Sequence, residues 1–148
     1  MADHPTITYR RVPQADILPL RQAVIIAGTN RTSPDFPGDH DDTTRHFAAL
    51  DGESVVGCAS FMANPWKGEP AWQLRGMATA PAYRGTGIGT GLLAYAEAFL
   101  RDENVTRRLW CNARVSAVSF YEQHGWQAVT DVFEIEGVGP HRKMTKSL

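Results

Sequence analysis

The residue pattern predicts an α/β sandwich built on a mixed β-sheet. Three observations carry that expectation. Short runs with strand-like alternation recur along the 148 residues, and other segments repeat apolar residues near a 3.6 period. The strongest helical segment stands between two strands, the arrangement that lays a helix against a sheet of mixed direction. No internal repeat, low-complexity tract or compositional break divides the chain, so residues 1–148 read as one domain.

Each element follows in order. Thr6 to Val12 alternates and carries Ile7 and Tyr9, a first strand. Ile17 to Ala27 places Ile17, Leu18, Leu20, Val24, Ile25 and Ala27 near a helical period, with Asp16 as N-cap and Gly28 as stop. A polar stretch from Thr29 to Arg45 holds Pro34, Pro37, Gly38 and the run Asp39-His40-Asp41-Asp42; connections this long are often functional. His46 to Leu50 and Ser54 to Met62, joined through Asp51-Gly52-Glu53, form a hairpin. After a turn at Asn64 to Pro70, Trp72 to Thr79 is an apolar-rich strand. Thr86 to Leu100 is a helix whose Ile88, Leu92, Leu93, Ala96, Phe99 and Leu100 share one broad face. Arg108 to Asn112 is a short strand, and Ala117 to His124 a short helix stopped by Gly125. Trp126 to Ile135 and His141 to Met144 close the chain as two strands around Glu136-Gly137-Val138-Gly139-Pro140.

Composition removes several function classes. Lys and Arg number 15 against 16 Asp and Glu, which lacks the basic excess of a nucleic-acid binder. No apolar stretch approaches the eighteen or so residues of a membrane span, and the opening MADHPTITYRR has no apolar core of a secretion signal. Cys58 and Cys111 both sit in apolar runs and read as buried thiols in a reducing compartment. A soluble, cytoplasmic protein with no membrane or nucleic-acid partner is expected.

The most informative segment is Arg84-Gly85-Thr86-Gly87-Ile88-Gly89-Thr90-Gly91, between a strand and a helix. Glycines there permit a sharp turn and close approach of a ligand to the backbone. The helix that follows offers unpaired N–H groups and a partial positive charge, and Arg84 adds a fork-shaped cation. The ligand is therefore an anion, and phosphate suits it. A nucleotide loop needs GxxxxGK[ST] and a dinucleotide fingerprint GxGxxG; neither pattern fits these residues.

These residues resemble the GNAT superfamily of N-acetyltransferases. The family pattern [QR]xxGx[GA] is met by Arg84 through Gly89. A second family element is met by Asn112, Ala117, Phe120, Tyr121, Gly125 and Trp126: a strand-end Asn, a helix with A-x-x-F-Y, then G-[FW]. The likeness runs from Thr6 to Met144. It implies a GNAT-like α/β sandwich with a mixed, splayed central sheet flanked by helices, and acetyl-CoA as co-substrate without a metal. The implied cofactor contacts are Met77, Ala78 and Thr79 on a bulged strand, and Arg84, Gly85, Thr86, Gly87, Ile88, Gly89 and Thr90 in the turn. Asn112, Ser119, Phe120 and Tyr121 complete the set. The pantetheine arm would pair with the backbone of Met77 and Thr79, and an N–H near Met77 would polarise the thioester carbonyl. The family also suggests a homodimer.

Acetyl transfer to an amine needs a neutral nucleophile, donors for a developing oxyanion, and a proton for the departing thiolate. Tyr121 is the expected proton donor, since a phenol with a pKa of about 10 is protonated at neutral pH. The base is open. Gln73 and Arg75 stand on the fourth strand where many family members carry Glu, which leaves a backbone-held water, His141 or Glu134, or an amine that enters neutral. The run Asp39 to Asp42, with His46 nearby, is read as a solvated loop with Asp42 capping a short helix, or as an acidic attractor for a cationic amine. Trp66 and Trp72 read as packing residues or as walls of an acceptor pocket. The acceptor is a small-molecule or a protein amine. A non-catalytic acyl-CoA binding or sensing domain is the rival that would need no Tyr121.

Overall fold

The computed structural model describes residues 6–148; Met1–Pro5, part of the N-terminal stretch read above for a secretion signal, lie outside them. Eight strands form one mixed sheet: β1 (Ile7–Arg11), β2 (Arg45–Asp51), β3 (Ser54–Ala63), β4 (Trp72–Thr79), β5 (Arg108–Arg114), β6 (Gln127–Ala128), β7 (Phe133–Ile135) and β8 (Gly139–Ser147). Their order is β1-β2-β3-β4-β5-β8-β6, with β7 also paired to β8. Every pairing is antiparallel except β4–β5, which are joined through the crossover helix α2 (Ile88–Glu103).

Both faces of the central strands are covered, so β2 and β3 are buried along almost their whole length. On one face α2 and α3 (Val118–Gln123) press Leu92, Leu93, Ala96, Leu100, Val118 and Tyr121 against Phe47, Phe61, Leu74, Leu109 and Met144. On the other, α1 (Gln14–Arg21) sets Ile17 against Ala48, Leu50, Cys58 and Ala78. No helix among the described residues is long and apolar enough to cross a membrane.

Several boundaries differ from the expectation. α1 begins at Gln14 behind Pro13, so Asp16 lies in its first turn and favours the helix dipole without capping it. Pro19 removes one ladder donor inside α1, and a wider π-helical turn, Gln22–Ile26, carries the chain on to Gly28 at φ +83°. Trp126 to Ile135 is two strands rather than one. Between them Thr130 leaves the ladder, its carbonyl accepting from Arg142 Nε and its hydroxyl from the Lys143 N–H, while β8 extends well past Met144. Asp42 caps no helix either, because β2 starts at Arg45.

Candidate active site

β4 and β5 pair over only three positions, Trp72 to Leu74 against Leu109 to Cys111. Beyond them the strands part, and a cleft of about 300 Å³ opens through the sheet. Met77, Cys111 and Tyr121 line it on the α2 and α3 side, and Arg31, Phe36, Arg75, Asn112 and His141 line it elsewhere. The fold thus supplies the splayed sheet by leaving two parallel neighbours unzipped.

A bulge aims the backbone into this gap. Cys58 faces Ala78 and Ser60 faces Arg75, so Ala59 alone opposes both Gly76 and Met77. Gly76 stands at φ +61°, and a Cβ there would lie 2.7 Å from Arg21 Nε and 3.1 Å from the Phe36 ring. Position 76 therefore tolerates no side chain, on two separate grounds.

Arg21 is fully buried behind the bulge. Its guanidinium donates to both Asp39 carboxylate oxygens, to Pro34 O at 2.9 Å and to Ser60 Oγ at 2.8 Å. The Ser60 hydroxyl meets His46 Nδ1 at 2.7 Å, and His46 Nε2 donates to Asp39 O at 2.9 Å. Burial pushes the Asp39 carboxyl up, but the hydrogen bonds from Arg21, Phe36 N–H and Gln14 outweigh it and hold the pKa below its ordinary value. Burial lowers the pKa of His46, which suits the neutral ring this chain of bonds requires. The expected solvated acidic loop is thus folded inward at Asp39, because Arg21 has no other carboxylate partner among the described residues. Its charge is spent there and does not face an incoming amine.

Tyr121 reaches the gap from α3. Its hydroxyl lies 3.6 Å from Met77 Sδ, a weak acceptor, and burial drives its pKa far above the usual phenol range. Beside it, burial pushes the Cys111 thiol up to about 12, and Cys58 likewise to about 12, so both stay protonated. Asn112 sits within β5, and its Oδ1 accepts from Lys143 Nζ at 2.8 Å. Of the two candidate bases on the last strands, His141 is buried and lines the cleft, whereas Glu134 is exposed and does not. His141 Nδ1 lies 2.7 Å from Gly139 O; a proton donated there leaves Nε2 with its lone pair. Trp72 is buried in the core and Trp66 lies against Trp110 at 5.4 Å, so neither lines the cleft.

The glycine turn follows β4 and a short 3-10 turn, Pro81–Tyr83. Gly85 and Gly87 adopt φ +77° and +86°, and a Cβ on either would meet nothing within 4 Å. Gly87 is the N-cap of α2 and no side chain caps that end, so the N–H groups of the first turn face an open cradle. The other two glycines serve packing: Gly89 lies under the Phe120 ring, and a side chain at Gly91 would collide with the Tyr9 hydroxyl. Ile88 is buried, Ser119 is exposed on α3, and Ala78 turns its methyl toward α1 while its backbone pairs with Cys58 on β3. Thr86 Oγ1 is bonded to Tyr83 O. Thr90 Oγ1 lies 3.0 Å from His124 Nε2, whose Nδ1 lies 2.7 Å from Phe120 O.

Sequence reasoning passed over His124, which ties the start of α2 to α3, and Phe36 with Arg31, which wall the cleft. Phe36, one large aromatic within a polar loop, was the available signal for the last two.

A sheet opened between two parallel strands, with a bulge on one and a glycine turn leading to a helix, defines an acyltransferase-like architecture. The model of the acetyltransferase (GNAT) family matches residues 19–126, and the chain belongs to that family. It is 34% identical over 116 residues to the uncharacterized N-acetyltransferase YitI of Bacillus subtilis (strain 168), covering 76% of this chain and 77% of that one. The fold is shared with Escherichia coli ElaA, with a TM-score of 0.82 at 20% identity over 96% of this chain and 100% of that one. It is also shared with an acyl-CoA N-acyltransferase from Pseudomonas aeruginosa, with a TM-score of 0.80 at 20% identity and the same coverage. The protein is an acetyltransferase enzyme.

Proposed function

We propose that residues 1–148 act as one cytoplasmic domain that transfers acetyl from acetyl-CoA to a primary amine by direct attack in a ternary complex. The observation that carries this reading is the Tyr121 hydroxyl, held at the gap beside Met77 with only a thioether for a partner. The open cradle at Gly85 and Gly87 fits the pyrophosphate, because positive φ and empty space let phosphate oxygens approach the backbone. Acetyl-CoA supplies an activated acetyl thioester.

The chain's own residues do the rest. Arg84 and the N–H groups from Gly85 to Thr90 hold the pyrophosphate, and Met77 and Thr79 offer backbone partners to the pantetheine arm. The N–H group at Met77 stabilises charge on the thioester oxygen. His141 Nε2 takes the proton from the amine nitrogen as the N–C bond forms. Tyr121 delivers its proton to sulfur as the C–S bond breaks; the phenolate then recovers a proton from solvent while His141 returns to solvent the one it took. One proton leaves nitrogen, one reaches sulfur, and no net charge is created.

The test is the thermal midpoint with acetyl-CoA, against NAD and ATP. Ligand at a hundredfold over Kd adds about 2.7 kcal/mol, roughly 5–10 °C for a domain of this size. A rise confined to acetyl-CoA, followed by amine-dependent thiol release, is the expected result. No rise at saturation would remove the reading.

A further inference from the structure

We propose that the acceptor is a small amine that carries a carboxylate or phosphate group, and that Arg31 and Arg75, grouped around Phe36, bind that anion. The inference rests on the acetyl-transfer reading of the cleft and adds what the cleft accepts.

Charge is the first argument. Four arginines line the cleft, Arg31, Arg75, Arg84 and Arg114, and no Asp or Glu does. A cationic acceptor such as a polyamine would find no counter-charge here and would be repelled. Arg84 belongs to the glycine turn, whereas Arg75 stands one residue before Gly76 at the bulge and Arg31 on the loop after α1. Those two mark a separate, acceptor-facing end.

Preparation is the second. The Arg75 guanidinium carbon lies 5.0 Å from the Phe36 ring centroid and that of Arg31 5.7 Å, beside the buried Arg21 at 4.2 Å, so one aromatic ring gathers both cleft-facing cations. Arg75 Nη1 is anchored to Pro37 O at 2.7 Å, which fixes the fork while leaving other N–H groups without a carboxylate. Among the described residues neither Arg31 nor Arg75 forms an ion pair. The nearby carboxylate that could neutralise them, Asp39, is already occupied by Arg21, Gln14 and the Phe36 N–H. Two fork-shaped cations held beside a gap and left unpaired make a site for a planar or tetrahedral oxyanion.

Chemistry and size agree. Nearby guanidinium charge lowers the pKa of an amine, favouring the neutral form that attacks. Arg75 stands on β4, which carries no carboxylate, so its cation takes over part of a base's task. The β7–β8 turn closes on the loop after α1, with Asn30 N–H donating to Gly137 O at 3.4 Å, so the end near Arg31 is walled and suits a small molecule.

The experiment compares charged and neutral versions of one amine: β-alanine against β-alaninamide, and O-phosphoethanolamine against ethanolamine. Acetylation is followed by thiol release, and the thermal midpoint is read with coenzyme A present. The charged member is expected to win by about tenfold or more in kcat/KM, mainly through KM. The carboxylate and phosphate arms show which anion is preferred. Arg31→Gln and Arg75→Gln should erase the preference, and Arg75→Lys should keep part of it. Equal use of both members, preference for the neutral one, no midpoint rise with either, or a preference unchanged in the variants overturns the proposal. A normal acetyl-CoA response with no charge preference removes the anion claim alone; no acetyl-CoA response removes the transfer reading with it.

Discussion

The Tyr121 hydroxyl and the Met77 sulfur face each other at 3.6 Å across the gap where β4 and β5 part. One comes from the last helix and the other from a bulged strand, 44 residues apart in the chain. The contact places a protonated phenol beside the backbone that a bound thioester would pair with. A thioether is too weak an acceptor to explain a buried hydroxyl, so the hydroxyl is free to act.

Tyr121→Phe should therefore separate chemistry from binding. The expected loss is about 10²–10⁴ in kcat, with acetyl-CoA affinity within twofold and stability almost unchanged. Stopped-flow thiol release and calorimetric binding on the same preparation check it. An unchanged kcat would remove Tyr121 from the mechanism.

The glycines of the turn should divide into two classes. Gly87→Ala forces a β-carbon onto φ +86°, at about 1–2 kcal/mol, and intrudes on the phosphate cradle. The acetyl-CoA Kd should rise tenfold or more. Gly91→Ala instead strikes Tyr9, so its cost should appear in the thermal midpoint while the affinity of the folded protein stays near wild type. If both changes weakened binding equally, the assignment of the cradle to Gly85 and Gly87 would fail.

His141→Gln should lower kcat by about 10²–10⁴ while leaving acetyl-CoA binding intact, and exogenous imidazole should restore part of the rate to His141→Gly. Glu134→Gln should be silent, because Glu134 is exposed and outside the cleft. Steady-state rates with a fixed amine decide between them.

The buried network behind Gly76 should govern acid stability. Asp39→Asn strands the fully buried Arg21 and should cost about 3–5 kcal/mol in urea unfolding. For pH, the pKa of folded His46 lies below 6.5, so the unfolded chain binds more protons below that pH and stability falls there first. The Asp39 carboxyl is also held below its ordinary value of 3.8, so its contribution is complete above about pH 4 and lost further into acid. Wild-type midpoints should drop between pH 6.5 and 5, and His46→Gln, though less stable overall, should flatten that slope.

Much of this was legible locally. Alternation and 3.6 periodicity located most elements, because each must bury one face whatever its neighbours are. Arg84 to Gly89 announced an open glycine turn at a helix start, since positive φ and helix N–H groups are consequences of adjacent residues. Tyr121 was legible only through the family motif around it.

The rest depended on residues far apart in the chain. No local pattern says that Asp39 turns inward, because its partner Arg21 lies on another element and only the burial of that arginine compels the pairing. Nor could the sequence choose between His141 and Glu134, whose exposure depends on which face of the last hairpin meets the cleft. The sequence by itself determined the elements and the glycine turn that opens α2, which need only neighbours along the chain. Tertiary structure alone decided the charge of the cleft, because the cations that remain unpaired are known only once every carboxylate has found its place.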